Sequence, residues 1–100
     1  MCDVVKLCVL LWAVPGHEQE LIDYEDQVLP LLAAYDARVV QRVRSQEASA
    51  NPFEVHILDF PSELALERYM ADPVRASLTA ARDRAISRTE ILHVDIVGGA

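Results

Sequence analysis

The pairing with the clearest chemical use is His93-Val94-Asp95, near the end of the chain. On an extended strand, residues two apart share a face. His93 and Asp95 would then stand side by side, an imidazole able to take a proton and a carboxylate able to orient it. Asp59 is a second carboxylate for the same task, and Lys6 and Arg42 are cations of the kind that stabilise a developing enolate or phenolate. Trp12 would supply an apolar wall. Grouped in one cavity, His93, Asp95 and Asp59 form the candidate catalytic set and Trp12, Lys6 and Arg42 the candidate substrate-binding set. The chemistry this set fits is proton abstraction from an activated aromatic or polyketide-like molecule. The plainer reading is structural: His93 satisfies a neighbouring carboxylate, and Lys6 pairs with Asp59 or Asp95. No ligand spacing such as His-x-x-x-His is present, so no metal is expected from His56, His93 and Asp95.

The elements that must position these residues follow from periodicity. Residues 4–13 are an almost unbroken apolar run ended by Pro15-Gly16, the pattern of a central strand buried on both faces. Its mixed set, Lys6, Cys8, Leu10 and Trp12, is expected to line the cavity, and Val5, Leu7, Val9 and Leu11 the opposite face. Leu21, Tyr24, Val28, Leu32 and Tyr35 recur at helical spacing, predicting a helix over 17–35, bent by Pro30 near Asp26. Asp36-Ala37 turns the chain in a left-handed conformation. Arg38, Val40, Arg42 and Arg44 alternate with Val39, Gln41 and Val43, a strand with one wet face over 38–46.

A strand is expected over 52–60, and its alternation leaves two choices, Val55, Ile57 and Asp59 against Glu54, His56, Leu58 and Phe60. Asp59 is placed toward the cavity because Phe60 is then set to pack beneath Tyr69. Ser62 caps a helix to about Ala71, Asp72-Pro73 starts another to about Ile86, and 89–97 is the last strand. In that strand the wholly apolar set, Leu92, Val94 and Ile96, is expected under the helices, leaving Ile91, His93 and Asp95 on the cavity side. The order β-α-β-β-α-β predicts an α+β, ferredoxin-like fold: a four-stranded antiparallel sheet with both helices on one face. One domain is expected over 1–97, with a flexible tail at 98–100.

Composition narrows the function classes. A formal charge of −7 argues against a nucleic-acid partner, whose phosphates need clustered cations. The hydrophobic share of 52 % is high for so small a chain, which favours apolar surface covered by a second copy. Cys2 and Cys8 frame no disulfide scaffold, and the apolar run near the start is shorter than the ~20 residues of a membrane span. A cytoplasmic protein, without a leader or membrane contact, is expected. Cys8 reads as a buried inert thiol.

A resemblance joins these elements. Leu29-Pro30-Leu31-Leu32 with Tyr35, Arg38 and Arg42, then Leu58-Asp59-Phe60-Pro61-Ser62, Tyr69, Asp72-Pro73, Arg82 and Val94-Asp95 resemble the dimeric α+β barrel superfamily. The match is closest to its short members, a domain family of unknown function with a Phe-Pro-Ser cap on the second helix. Asp36-Ala37 stands where that family usually has two glycines, Met70 where a second aromatic is common and Arg75 where a tyrosine often follows. The resemblance implies two open sheets paired into a barrel around a cavity. It also implies activities of the superfamily's kinds: cofactor-independent quinone-forming monooxygenases, polyketide cyclases, haem-degrading enzymes and muconolactone isomerases. Haem degradation fits least, since His17 reads as an exposed residue at the start of a helix. The expected function is thus a homodimer acting on a small apolar or aromatic metabolite in the barrel cavity without a cofactor. The alternative is a non-catalytic ligand-binding or assembly module.

Overall fold

The computed structural model describes residues 4–47 and 50–98. Cys2, and the expected tail beyond Gly98, lie outside the described residues. Strand β1 (Val5–Ala13) leads to helix α1 (Glu18–Val28), which passes directly into a 3-10 helix at Leu29–Tyr35. The single bent helix expected over 17–35 is therefore two segments. Pro30 lacks the N–H for the α-helical bond and clashes with the preceding turn, and the chain tightens instead of bending. Asp36 ends it at φ 57°, the left-handed turn expected there.

Strands β2 (Arg38–Arg44) and β3 (Glu54–Phe60) follow, then α2 (Glu63–Met70), α3 (Pro73–Ser77), α4 (Thr79–Ala85) and β4 (Ile86–His93). Ser62 accepts a hydrogen bond from the Ala65 N–H at 3.1 Å, and Asp72 accepts from Val74 and Arg75, so both sequence-read caps form. The sheet runs β2-β3-β1-β4 and is antiparallel throughout. This is the ferredoxin-like arrangement, with the helices on one face.

The buried set of β1 is Val5, Leu7, Val9 and Leu11, and that of β3 is Glu54, His56, Leu58 and Phe60. These line the helix-covered face, where Leu21, Tyr24, Val28, Leu32 and Tyr69 close the core. Phe60 lies beneath Tyr69, ring centres 5.7 Å apart. The opposite face carries Lys6, Cys8, Leu10 and Trp12 of β1 and Val55, Ile57 and Asp59 of β3, as expected, and among the described residues no helix covers it.

Two strands depart from their expected faces. In β2 the register shifts between Val39 and Gln41, so Val40 is a bulge. Arg38 stays opposite Asp59 on the open face, whereas Arg42 pairs across from His56 on the helix side. An extra residue inverts every side chain beyond it. Arg42 accordingly does not join Lys6 and Trp12. The last strand begins at Ile86, three residues earlier than expected, and its faces are reversed. His93 lies opposite Leu7 and Ile91 opposite Val9, both on the helix side, while Leu92 lies opposite Cys8 on the open side. The apolar set was no guide because both faces of this sheet are apolar.

Candidate functional site

Beneath α1, three ionisable side chains are packed into the helix-covered face: Glu54 at 0 % exposure, His56 at 1 % and Glu25 at 6 %. Strand alternation puts Glu54 and His56 on one face, and the helical spacing of Leu21, Tyr24 and Val28 lowers Glu25 onto them. Arg42 forks onto Glu54, its Nε 2.8 Å from Oε1 and its Nη2 3.1 Å from Oε2. Arg44 donates to Oε2 from Nε at 2.9 Å and Nη2 at 2.6 Å. His56 Nε2 lies 2.7 Å from Glu54 Oε1, and Nδ1 lies 4.0 Å from Glu25 Oε1. The bulge at Val40 is what delivers Arg42 and Arg44 to this side.

The two carboxyls are driven apart. Burial alone would raise Glu54, but the hydrogen bonds from His56, Arg42 and Arg44 outweigh it and hold Glu54 down at about 2. Burial raises Glu25 above the ordinary carboxylate value, and the charge of Glu54 adds to the rise against the opposing pull of His56, Arg42 and Arg75. An ionised Glu54 is an acceptor only, so the short bond requires the hydrogen on His56 Nε2. Nδ1, the other ring nitrogen, is directed toward Glu25. The arrangement sets an imidazole between an ionised carboxylate and a second carboxyl of raised pKa, the kinds of group that general acid–base chemistry uses.

A cavity of about 330 Å³ opens beside this group, between the sheet and the helices. His56, Glu25, Tyr24 and Tyr69 line one part, Arg75 and Arg82 another, and Leu7, Val9, Leu58 and Phe60 the floor. Exposed Met70, Ala76, Thr79 and Ile91 mark its mouth. Burial also raises both tyrosines, Tyr69 to about 12 against the opposing charge of Arg75, so at neutral pH they remain hydrogen-bond donors. Tyr69 donates to the Val28 carbonyl at 3.2 Å.

The residues singled out from sequence fall in three places. Lys6 and Asp59 meet on the open face, with Lys6 Nζ 3.6 Å and Arg38 Nη2 3.4 Å from the Asp59 carboxylate. Trp12, on the same face, has Arg88 stacked 4.5 Å from its ring and gives its Nε1–H to the Ala50 carbonyl at 2.8 Å. Asp95 follows β4 and shares a shallow depression with Cys8, Val40, Gln41 and Ile57. His93, on the helix side, is exposed, with Nε2 3.6 Å from Glu63, and so is not beside Asp59. Arg42 belongs to the buried group. His56, considered only as a metal ligand, is the histidine set between two buried carboxyls. The missed signal was Glu54-x-His56: once Asp59 is placed outward, two ionisable residues are forced under the helices.

No protein-family model matches the chain, and no curated protein does. Solved structures do. A proposed antibiotic biosynthesis monooxygenase from Caulobacter crescentus CB15 superposes with a TM-score of 0.77 at 16 % identity, over 97 % of this chain and 92 % of that one. A dabb-family protein with a ferredoxin-like fold from Mesorhizobium loti gives 0.65 at 14 %, over 95 % and 98 %. A NIPSNAP domain protein from Burkholderia xenovorans gives 0.72 at 15 %, over 97 % of each chain. At these identities the likeness is one of fold, and it agrees with the ferredoxin-like topology. Among the described residues no helix is long and apolar enough to cross a membrane, and no cluster of three His, Cys, Asp or Glu residues is disposed to hold a metal ion.

Proposed function

We propose that the protein is a homodimeric small-molecule enzyme whose cavity beneath the helices removes a proton from an activated aromatic or polyketide-like carbon acid. His56 is the base, Glu54 its orienting anion and Glu25 the neighbouring proton carrier. The observation that carries this reading is the oppositely perturbed pair Glu54 and Glu25 on one buried imidazole at the wall of a 330 Å³ cavity. The fold likeness to a proposed monooxygenase supports oxidation as the continuation. In that step the carbanion is oxidised by molecular oxygen, one oxygen atom entering the product as a carbonyl and the other leaving as water. Without oxygen the same base would serve an isomerase or cyclase. Lys6, Asp59, Trp12 and Asp95 are assigned to the open sheet face, where a second chain would meet them.

Anthrone, whose benzylic C–H is acidified by its ketone, is a suitable probe. Under nitrogen in deuterated buffer the protein is expected to accelerate exchange at that carbon, and admission of air to yield anthraquinone and water. His56→Gln should slow the exchange by roughly 10²- to 10⁴-fold, the usual range for loss of a general base. Exchange by the wild type no faster than by His56→Gln would overturn the catalytic reading. Binding without exchange would establish the ligand-binding module in its place.

A further inference from the structure

We infer that Arg75 is an anion-recognition residue of the cavity, and that the ligand carries a planar oxyanion, a carboxylate or a phenolate, on its aromatic or alicyclic ring. The inference deepens the proposed function and rests on the same cavity. Its starting point is an orphan: the Nε of Arg75 is buried and, among the described residues, has no hydrogen-bond partner. A buried donor left unpaired costs free energy, and one on a guanidinium more than most. The side chain is otherwise well held. Nη1 donates to the Met70 carbonyl at 3.2 Å and touches Met70 Sδ at 3.5 Å, and the guanidinium carbon sits 4.7 Å from the centre of the Tyr69 ring. The group is thus fixed in place by its other edge, while its free N–H belongs to a residue lining the cavity.

The rest of the lining suits an anion. Arg82 brings a second guanidinium, of which Nη2 is tied to Thr89 Oγ1 at 2.8 Å. Tyr24 and Tyr69 add phenol groups, and Glu25 is the carboxyl on the wall. Glu54, the group's fixed negative charge, is satisfied by Arg42, Arg44 and His56 and does not line the cavity. Turning of the guanidinium toward an oxyanion seated against Arg75 would give the buried Nε–H the acceptor it lacks, in a charge-assisted bond, and would hold the ring against Leu7, Val9 and Phe60. It would also place the reacting carbon on the side of His56.

The test compares 1-naphthoate, 1-naphthol and the neutral 1-naphthamide by calorimetric titration of the intact chain, with no dependence on turnover. Wild type should bind naphthoate at least about ten-fold more tightly than naphthamide, as expected for a hydrogen bond to a charged group. Arg75→Met should lose that preference while retaining naphthamide binding, Arg75→Lys should keep part of it, and Arg84→Gln on the outer surface should leave it intact. If the natural group is a phenolate, naphthol binding strengthens as pH rises toward the naphthol pKa, and this rise disappears in Arg75→Met. Equal binding of acid and amide, no binding of either, or a preference surviving in Arg75→Met would overturn the assignment. A variant without the preference but with full anthrone exchange upholds Arg75 as a binding residue. Loss of exchange in His56→Gln with acid preference retained in Arg75→Met upholds the base and removes Arg75.

Discussion

Glu54 and Glu25 carry the same side chain against the same imidazole, and their surroundings give them opposite consequences for stability. The folded pKa of Glu54 is depressed from 4.5 to about 2, so its contribution is fully present above the unfolded value and is lost as pH falls between the two. With its side chain fully buried, this is on the order of 3 kcal/mol. Glu25 has the reverse sign. Its folded pKa is raised, so it adds nothing below the unfolded value and subtracts stability as pH rises above it. Glu54→Gln should therefore cost about 3 kcal/mol at neutral pH, leaving Arg42 and Arg44 without their anion. That cost should shrink in acid. Glu25→Gln should raise the thermal midpoint at about pH 8 and change it little at about pH 4, where both forms are uncharged. Calorimetric melts of the two variants across this range check both signs; parallel pH profiles would refute the opposed assignment.

At the scale of elements, legibility followed local chemistry. The caps at Ser62 and Asp72, the left-handed turn at Asp36 and the faces of β1 were readable because each depends on a few adjacent residues, whereas alternation left the faces of β3 open and only the packing of Phe60 beneath Tyr69 favoured one. The cap at Ser62 gives a direct check: Ser62→Ala should lower stability by about 1 kcal/mol in urea unfolding with an unchanged slope, since it removes only the bond to Ala65. The bulges were not readable. Val40 in β2 looks like an ordinary strand residue and Ser87 falls ahead of the strand expected over 89–97; only pairing with β3 and β1 reveals them as extra. Without the first, Arg42 and Arg44 would both stand on the open face with Lys6, and Glu54 would lose both of its guanidinium partners. The reversal of β4 has another origin, because Leu92 is apolar for the open face while Ile91 is apolar for the cavity. A rule that sends the apolar set to the core has no answer when both faces are apolar.

That ambiguity is a property of the whole molecule. The two layers are thin, 17 Å along the shortest axis, and the uncovered face presents Leu10, Trp12, Val55 and Ile57 together with Val43 at 46 % and Leu92 at 50 % exposure. The Lys6–Asp59–Arg38 cluster also lies on it. A contiguous apolar sheet face with a compact charge cluster suits a self-complementary contact related by a two-fold axis. Ile57, central on that face, has its side chain away from the cavity, so Ile57→Lys should place a charge in the contact without touching His56 or Arg75. Light scattering after size exclusion should give the wild type twice the 11.2 kDa chain mass and the variant the single mass. If the cavity is complete within one chain, the monomeric variant still binds naphthoate; if binding falls with the dimer, the second chain contributes to the site. A monomeric wild type, or an Ile57→Lys variant that stays dimeric, would remove this face as the interface.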